Sequence, residues 1–147
     1  MSNIKALYIK YKEIIMYLIV GGLTTFVNWA VYAVMAGFFT FTVTVSNITA
    51  WVAGVLFAYI TNKIFVFESY NFAPAFLIKE LFLFVAARLI TGVIEMAGVP
   101  ALVHIGIDYP ILGIKGMLAK IIVSVVVVIL NYVFSKLLIF KKDKNEA

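Results

Sequence analysis

The sequence predicts an all-α integral membrane protein, a four-helix bundle made of two helical hairpins with the same orientation. Three observations predict this fold: the apolar composition, four long apolar stretches, and lysines grouped at the ends of those stretches. The chain has 147 residues, of which 65% are hydrophobic and 13% are charged, and its mean hydropathy is +1.10. Because a small soluble domain leaves much of its surface exposed to water, it could not hide so much apolar surface.

Each of the four apolar stretches is long enough to cross a hydrocarbon core of about 30 Å, at about 1.5 Å per helical residue. We predict spans at residues 14–39, 43–62, 76–103 and 113–140, all within a single domain that covers 1–147. The first stretch exceeds the apolar region of a cleavable signal peptide, which is about 7–15 residues long. We therefore expect it to be retained as the first span.

The connections between the spans carry turn signals. An uncharged turn near Thr40–Thr42 joins the first two spans, and Pro74 marks the connection 68–75 between the second and third. Asp108-Tyr109-Pro110, within the connection 104–112, indicates a turn between the last two spans. These connections define two hairpins with one polar linker between them.

The lysines indicate which side of the membrane each connection occupies. They concentrate at the N-terminus, in the middle connection and at the C-terminus, whereas the two opposite turns have only Lys115 near one edge. By the positive-inside rule, we predict a multi-pass protein of the cell membrane with both termini in the cytoplasm. The same distribution explains the formal net charge of +5 without nucleic acid as a partner. The grouped lysines are Lys5, Lys10, Lys12, Lys63, Lys79, Lys136, Lys141, Lys142 and Lys144.

The chain also repeats part of its own sequence. Segments 59–67 and 132–140, which end the second and fourth spans, share tyrosine, lysine and phenylalanine at matching positions. A weaker similarity aligns 17–22 with 82–87. We predict an internal duplication, a common plan of transporters that places the substrate site at the repeat interface. The alternative is that aromatic residues and lysine recur at any cytoplasmic interface.

Three charged residues, Arg88, Glu95 and Lys120, lie within otherwise apolar segments. An ion at the bilayer centre costs about 2.5–3.5 kcal/mol on insertion scales, so such residues usually face a protein interior and carry function. We place Arg88 near the midplane and Glu95 about 10 Å further outward, at a depth similar to that of Lys120. Either Glu95 pairs with Lys120 and leaves Arg88 to bind an anion, or Arg88 and Glu95 form a structural pair.

Several short patterns together resemble the GtrA family of small four-span membrane proteins. The matching pieces are Tyr17–Gly22 with Thr24 and Asn28, segment 58–67, Phe84 with Arg88, and Lys120 with Asn131-Tyr132. The resemblance covers roughly residues 14–140 and implies a part in glycosylation of cell-envelope polysaccharide. Family members are thought to move polyprenyl-phosphate-linked sugars to the outer leaflet, where membrane glycosyltransferases decorate O-antigen, teichoic acid or arabinan.

We therefore predict a flippase for a polyprenyl-phosphate-linked sugar, embedded in membrane lipid and assembled as a homo-oligomer. A guanidinium group suits the single negative charge of a polyprenyl phosphodiester through bidentate hydrogen bonds. For Asn28, helix-to-helix hydrogen bonding is the favoured interpretation. The candidate substrate-binding residues are Arg88, Lys120, Asn62, Asn131, Glu95, Phe67, Phe84 and Asn28; Val66 also lies at a position characteristic of the family.

Two other functions stay open at this point. One is a small multidrug-resistance-like proton-coupled exporter, although residues 14–40 lack the acidic residue that such chemistry uses. The other is a non-transporting membrane subunit of a glycosyltransferase complex. The sequence has no cysteine, one histidine, and neither a nucleophile elbow nor a P-loop. We therefore predict that the protein is not an enzyme and uses no cofactor or metal.

Overall fold

The computed structural model describes residues 3–140, which form four long α-helices and no strand. The helices are α1 (Asn3–Ala33), α2 (Val43–Thr61), α3 (Pro74–His104) and α4 (Met117–Phe134). A single π-helical turn extends three of them, at Val34–Phe38, Asn62–Val66 and Ser135–Ile139. The all-α class is therefore confirmed for the described residues. Lys141, Lys142 and Lys144, which contributed to the predicted orientation, lie outside them.

The helix boundaries follow from the residues at the ends. The Thr42 side chain accepts a hydrogen bond from the backbone N–H of Val45 at 3.4 Å and so caps the start of α2. Pro74 occupies the first position of α3, where its missing N–H costs nothing. Gly116 precedes α4 with φ 74°, a left-handed conformation that strains residues with a Cβ.

Three helical segments are long and apolar enough to cross a membrane: Asn3–Phe38, Val43–Val66 and Met117–Ile139. They correspond to the first, second and fourth predicted spans, although α1 begins well before the predicted start at residue 14. Helix α3 has 31 residues but is not among the three, and it carries Lys79, Glu80, Arg88 and Glu95. That α3 also crosses the membrane stays a prediction.

The chain divides into two compact units, Met1–Phe72 and Ala73–Ala147. We call their described parts the first hairpin (residues 3–72), in which α1 packs on α2, and the second hairpin (residues 73–140), in which α3 packs on α4. Small residues allow each pair of helices to approach closely. A Cβ on Gly54 would lie 3.6 Å from the Cβ of Asn28, and one on Gly98 would lie 3.3 Å from Val123 Cγ1. The predicted single domain stays a prediction.

The two hairpins end in the same way. The backbone N–H of Phe67 donates to the Asn62 carbonyl at 2.9 Å, and that of Phe140 donates to the Ser135 carbonyl at 2.8 Å. Each bond closes a widened turn of five residues, a geometry that is frequent at functional sites. The residues that begin and end these turns are buried in both hairpins: Asn62, Val66 and Phe67, and Ser135, Ile139 and Phe140.

Aromatic contacts show how the first helices of the two hairpins correspond. The rings of Tyr17 and Phe67 lie 6.4 Å apart at 56°, and those of Phe84 and Phe140 lie 6.1 Å apart at 54°. Tyr17 therefore corresponds to Phe84. The weaker sequence alignment, which set Tyr17 against Phe82, was therefore displaced by two residues. Phe82 is 72% exposed.

This alignment extends along both helices and supports an internal duplication. On the first helix of each hairpin it pairs Gly21 with Arg88, Thr24 with Thr91, and Asn28 with Glu95. On the second helix it pairs Asn47 with Lys120, Ala58 with Asn131, and Asn62 with Ser135.

Candidate functional site

One face of α3 carries most of the polar candidate residues of the second hairpin. Phe84, Arg88, Thr91 and Glu95 follow one another at intervals of four, three and four residues, so they share a helical face. Helix α4 contributes Lys120 and Asn131, each of which contacts a residue of this face. The second hairpin therefore brings five predicted residues onto one helix pair.

Glu95 forms an ion pair with Lys120, in which the lysine Nζ donates to Oε1 of the carboxylate. Of the two pairings that the sequence left open, this is the one present in the structure. The ion pair joins the predicted outer parts of α3 and α4. Because the two charges cancel, the pair as a whole is neutral, which lowers the cost of placing it in a bilayer.

Arg88 contacts an aromatic ring instead of a carboxylate. Its guanidinium carbon lies 5.1 Å from the ring centroid of Phe84, within the range of a cation–π interaction. Phe84 is itself buried and held against Phe140. No carboxylate of residues 73–140 lies within ion-pair distance of Arg88, so the alternative Arg88–Glu95 pair is absent from this hairpin.

Asn131 is buried, at 5% exposure, and its side-chain oxygen accepts a hydrogen bond from the Thr91 hydroxyl at 3.0 Å. This contact links α4 to α3, four residues before Glu95 on α3 and eleven residues after Lys120 on α4. Sequence reasoning did not select Thr91, since a threonine in an apolar helix commonly bonds to its own backbone. Its place on the same face as Arg88 and Glu95 was the signal that could have identified it.

Three predicted residues belong to the first hairpin. The Asn62 amide nitrogen donates to the Ala58 carbonyl at 2.7 Å, whereas its Oδ1 is fully enclosed and has no hydrogen-bond partner among residues 3–140. Phe67 is buried against Tyr17. Asn28 is half-buried and lies against Gly54. Its side chain has no hydrogen-bond partner among residues 3–140, so the predicted helix-to-helix hydrogen bond stays a prediction.

Two buried charged residues were not among the predicted sites. Lys63 is 2% exposed, and its Nζ donates to the Ser69 hydroxyl at 3.2 Å and lies 5.4 Å from the Phe72 ring centroid. Glu80, near the start of α3, is equally buried. In the sequence, Lys63 served to assign the cytoplasmic side and to define the repeated segment 59–67. Its burial has no local sequence signal.

In the second hairpin these residues offer the Arg88 guanidinium on the Phe84 ring and the neutral pair of Glu95 and Lys120. Within residues 3–140 there is no group of three or more histidine, aspartate and glutamate side chains that could hold a metal ion. Phosphate oxygens accept hydrogen bonds, and on this face of α3 the Arg88 guanidinium can donate to them.

Comparison with known proteins adds to this description. Residues 16–140 match the profile of the GtrA/DPMS transmembrane domain. The chain is 41% identical over 132 residues to the cell wall teichoic acid glycosylation protein GtcA of Listeria innocua, covering 90% of this chain and 87% of that protein.

Two further relatives cover the same share of this chain. GtcA of Listeria monocytogenes is 38% identical over 132 residues, 87% of its length. The uncharacterized membrane protein YwcD of Bacillus subtilis is 37% identical over 132 residues, 99% of its length. No solved structure matches the chain.

Proposed function

This chain belongs to the GtrA family of membrane proteins, and we propose that it moves a polyprenyl-phosphate-linked sugar across the cell membrane for glycosylation of cell wall teichoic acid. The direction is from the cytoplasmic to the outer leaflet, where a membrane glycosyltransferase uses the sugar. The teichoic acid part of the proposal rests on the names of two relatives, and the phosphate part rests on Arg88.

The observation that carries the proposal is the distribution of charge in the second hairpin. Glu95 is paired with Lys120, while Arg88 rests on Phe84 with no carboxylate partner in residues 73–140. A polyprenyl phosphodiester has one negative charge, which the guanidinium neutralises. The loaded site is then neutral, and this lowers the cost of moving the phosphate through a region where a lone ion costs about 2.5–3.5 kcal/mol.

The same pairing makes Glu95 a poor carrier for a proton-coupled exporter. In that mechanism the carboxylate must release and rebind protons in each cycle. Here Lys120 donates directly to Glu95 Oε1, so the carboxylate is already engaged in an ion pair.

We further propose that all four helices cross the membrane, that both termini are cytoplasmic, and that several copies assemble around one sugar headgroup. Because the chain has no cysteine, single cysteines can be introduced and labelled in intact cells. A membrane-impermeant maleimide should label Thr40→Cys and Asp108→Cys from outside, and Asn71→Cys only after permeabilisation. External labelling of Asn71→Cys would overturn the orientation.

Reconstitution in liposomes tests the function itself. A polyprenyl-phosphate sugar with a fluorescent headgroup is placed in both leaflets, and an impermeant quencher measures how fast the inner pool becomes accessible. We expect wild-type protein to raise that rate well above the rate in protein-free liposomes. If the two rates are equal, the flippase proposal is wrong, and a non-transporting subunit of a glycosyltransferase complex becomes the better account.

A further inference from the structure

Thr91 lies on the same face of α3 as Arg88 and Glu95, between the two. It is 1% exposed, and its hydroxyl oxygen lies near three acceptors. The carbonyl oxygens of Ala87 and Arg88 lie at 3.0 and 3.2 Å, and Oδ1 of Asn131 lies at 3.0 Å. A hydroxyl has a single proton, so one acceptor receives it at a time.

The proton goes to Asn131. In an α-helix, the carbonyls of Ala87 and Arg88 accept the backbone N–H groups of the residues four positions later, so neither needs the hydroxyl. Oδ1 of Asn131 has Thr91 as its hydrogen-bond partner among residues 3–140. A buried oxygen left without a donor is strongly disfavoured, which selects the bond between the helices.

This bond determines which edge of the Asn131 amide is presented. With Oδ1 held by Thr91, the NH₂ group points away from that contact, and it has no hydrogen-bond partner among residues 3–140. Unlike Oδ1 of Asn62, it is not fully enclosed. Arg88 lies three residues before Thr91 on α3, so the residue that holds the Asn131 amide and the residue that carries the guanidinium share one helical face.

We propose that Thr91 is a positioning residue: it fixes Asn131 so that the amide NH₂ group donates to the phosphate that Arg88 binds. The inference rests on the proposed function and extends it, since it names the phosphate as the part of the substrate that Asn131 contacts. Phosphate oxygens accept hydrogen bonds and do not donate them, so an amide with its oxygen turned outward would oppose binding.

The first hairpin supplies a matched control. Thr24 corresponds to Thr91, and its hydroxyl donates to the Val20 carbonyl at 2.8 Å within its own helix. The residue that corresponds to Asn131 is Ala58, so Thr24 has no amide to orient. The substitution Thr24→Val therefore removes a chemically equal hydroxyl without affecting any phosphate ligand.

The test measures binding of fluorescent polyprenyl phosphate without a sugar to purified full-length protein in nanodiscs. We expect Thr91→Val to weaken binding about tenfold, the loss of one hydrogen bond to a charged group. Thr91→Ser should keep the affinity within about twofold of that of the wild type, and Thr24→Val should leave the affinity unchanged. In an Asn131→Ala background, Thr91→Val should cause no further loss, because the effects of two residues that act through one contact are not additive.

A second variant tests the orientation of the amide even if Thr91→Val fails to fold. In Asn131→Asp, Thr91 can still donate to one oxygen, and the other then faces the phosphate as an anion. We expect Asn131→Asp to bind polyprenyl phosphate more weakly than Asn131→Ala. Equal or tighter binding would overturn the inference, as would unchanged affinity of Thr91→Val or an equal loss in Thr24→Val. If wild-type protein does not bind polyprenyl phosphate, the proposed function itself is wrong.

Discussion

The two hairpins have the same backbone plan but differ in charge at three corresponding positions. Both end in a π-helical turn closed onto a buried phenylalanine, and both pack an aromatic residue of their first helix against that phenylalanine. Yet the positions of Arg88, Glu95 and Lys120 in the second hairpin hold Gly21, Asn28 and Asn47 in the first. The first hairpin forms this fold with neutral residues at these places, so the backbone plan itself does not require the charges of the second.

The asparagine near the end of the second helix also differs in position between the hairpins. The first hairpin has Ala58 and Asn62 where the second has Asn131 and Ser135, so the amide moves by one helical turn, about 6 Å along the axis. In the first hairpin it lies in the π-helical turn with an unpaired oxygen. In the second it is fixed by a threonine of the neighbouring helix.

The largest effect is expected at Arg88. Replacing it with glutamine removes the charge and the bidentate donors, and we expect transport in liposomes to fall about 100-fold, since a hydrogen bond to a charged group contributes about 1.5–3 kcal/mol. Arg88→Lys should recover part of the loss, because a lysine keeps the charge without the planar fork. The counterpart change Gly21→Ala, where nothing lies within 4 Å of the added Cβ, should leave transport unchanged. Full transport by Arg88→Gln would remove the phosphate role.

The substitution Asn62→Ser gives the first hairpin the serine that the second hairpin has at the corresponding position, Ser135. Because the substitution removes a buried unpaired oxygen, we expect thermal stability to stay equal or rise. If Oδ1 accepts a hydrogen bond from a sugar hydroxyl, transport should fall about tenfold, while binding of polyprenyl phosphate without a sugar should not change. Unaltered transport of the complete lipid would show that Asn62 has only a structural role.

The ion pair allows the second hairpin to be converted toward the first. Glu95→Asn alone or Lys120→Asn alone should destabilise the protein by about 1–2 kcal/mol, because each leaves a charge without its partner. The double substitution copies Asn28 and Asn47, so its loss should be smaller than the sum of the two single losses. Unfolding free energies in lipid bicelles measure this coupling. Strictly additive losses would mean that the pair contributes nothing to stability.

The smallest effect concerns the close approach of the helices. A Cβ on Gly54 makes ordinary contact at 3.6 Å with Asn28, whereas a Cβ on Gly98 meets the Cγ atoms of Val123 at 3.3 Å. Val123 is buried and stiff at χ1, so it moves aside less easily. Both substitutions gain helix propensity, so the difference between them comes from the Cβ contact. We expect Gly98→Ala to be about 0.5–1 kcal/mol less stable than Gly54→Ala. Equal melting temperatures would contradict the tighter packing of the second hairpin.

Much of the fold could be predicted from the sequence because long apolar runs determine where helices form. The π-helical turns could not be predicted, because a widened turn leaves the apolar sequence pattern unchanged and alters only which residues are buried. The Phe82 misalignment had the same origin. Phe82 and Phe84 fit the local sequence equally well, and only the ring contact with Phe140 separates them.

The candidate site was predictable in its residues but not in its contacts. Spacing along α3 placed Arg88 and Glu95 on one face and permitted either partner for Glu95. Only the packing of α4 resolved this in favour of Lys120. Thr91 was missed because its importance depends on Asn131, which lies 40 positions away in the chain.

The central claim is that the second hairpin holds the phosphate. Photo-crosslinking tests it most directly, with a polyprenyl phosphate that carries a diazirine beside the phosphate and with peptide mapping of the labelled protein in nanodiscs. We predict that most label attaches to α3 and α4, within residues 84–131, and that Arg88→Gln removes it while Gly21→Ala does not. Label confined to α1 and α2 and unaffected by Arg88→Gln would contradict the account.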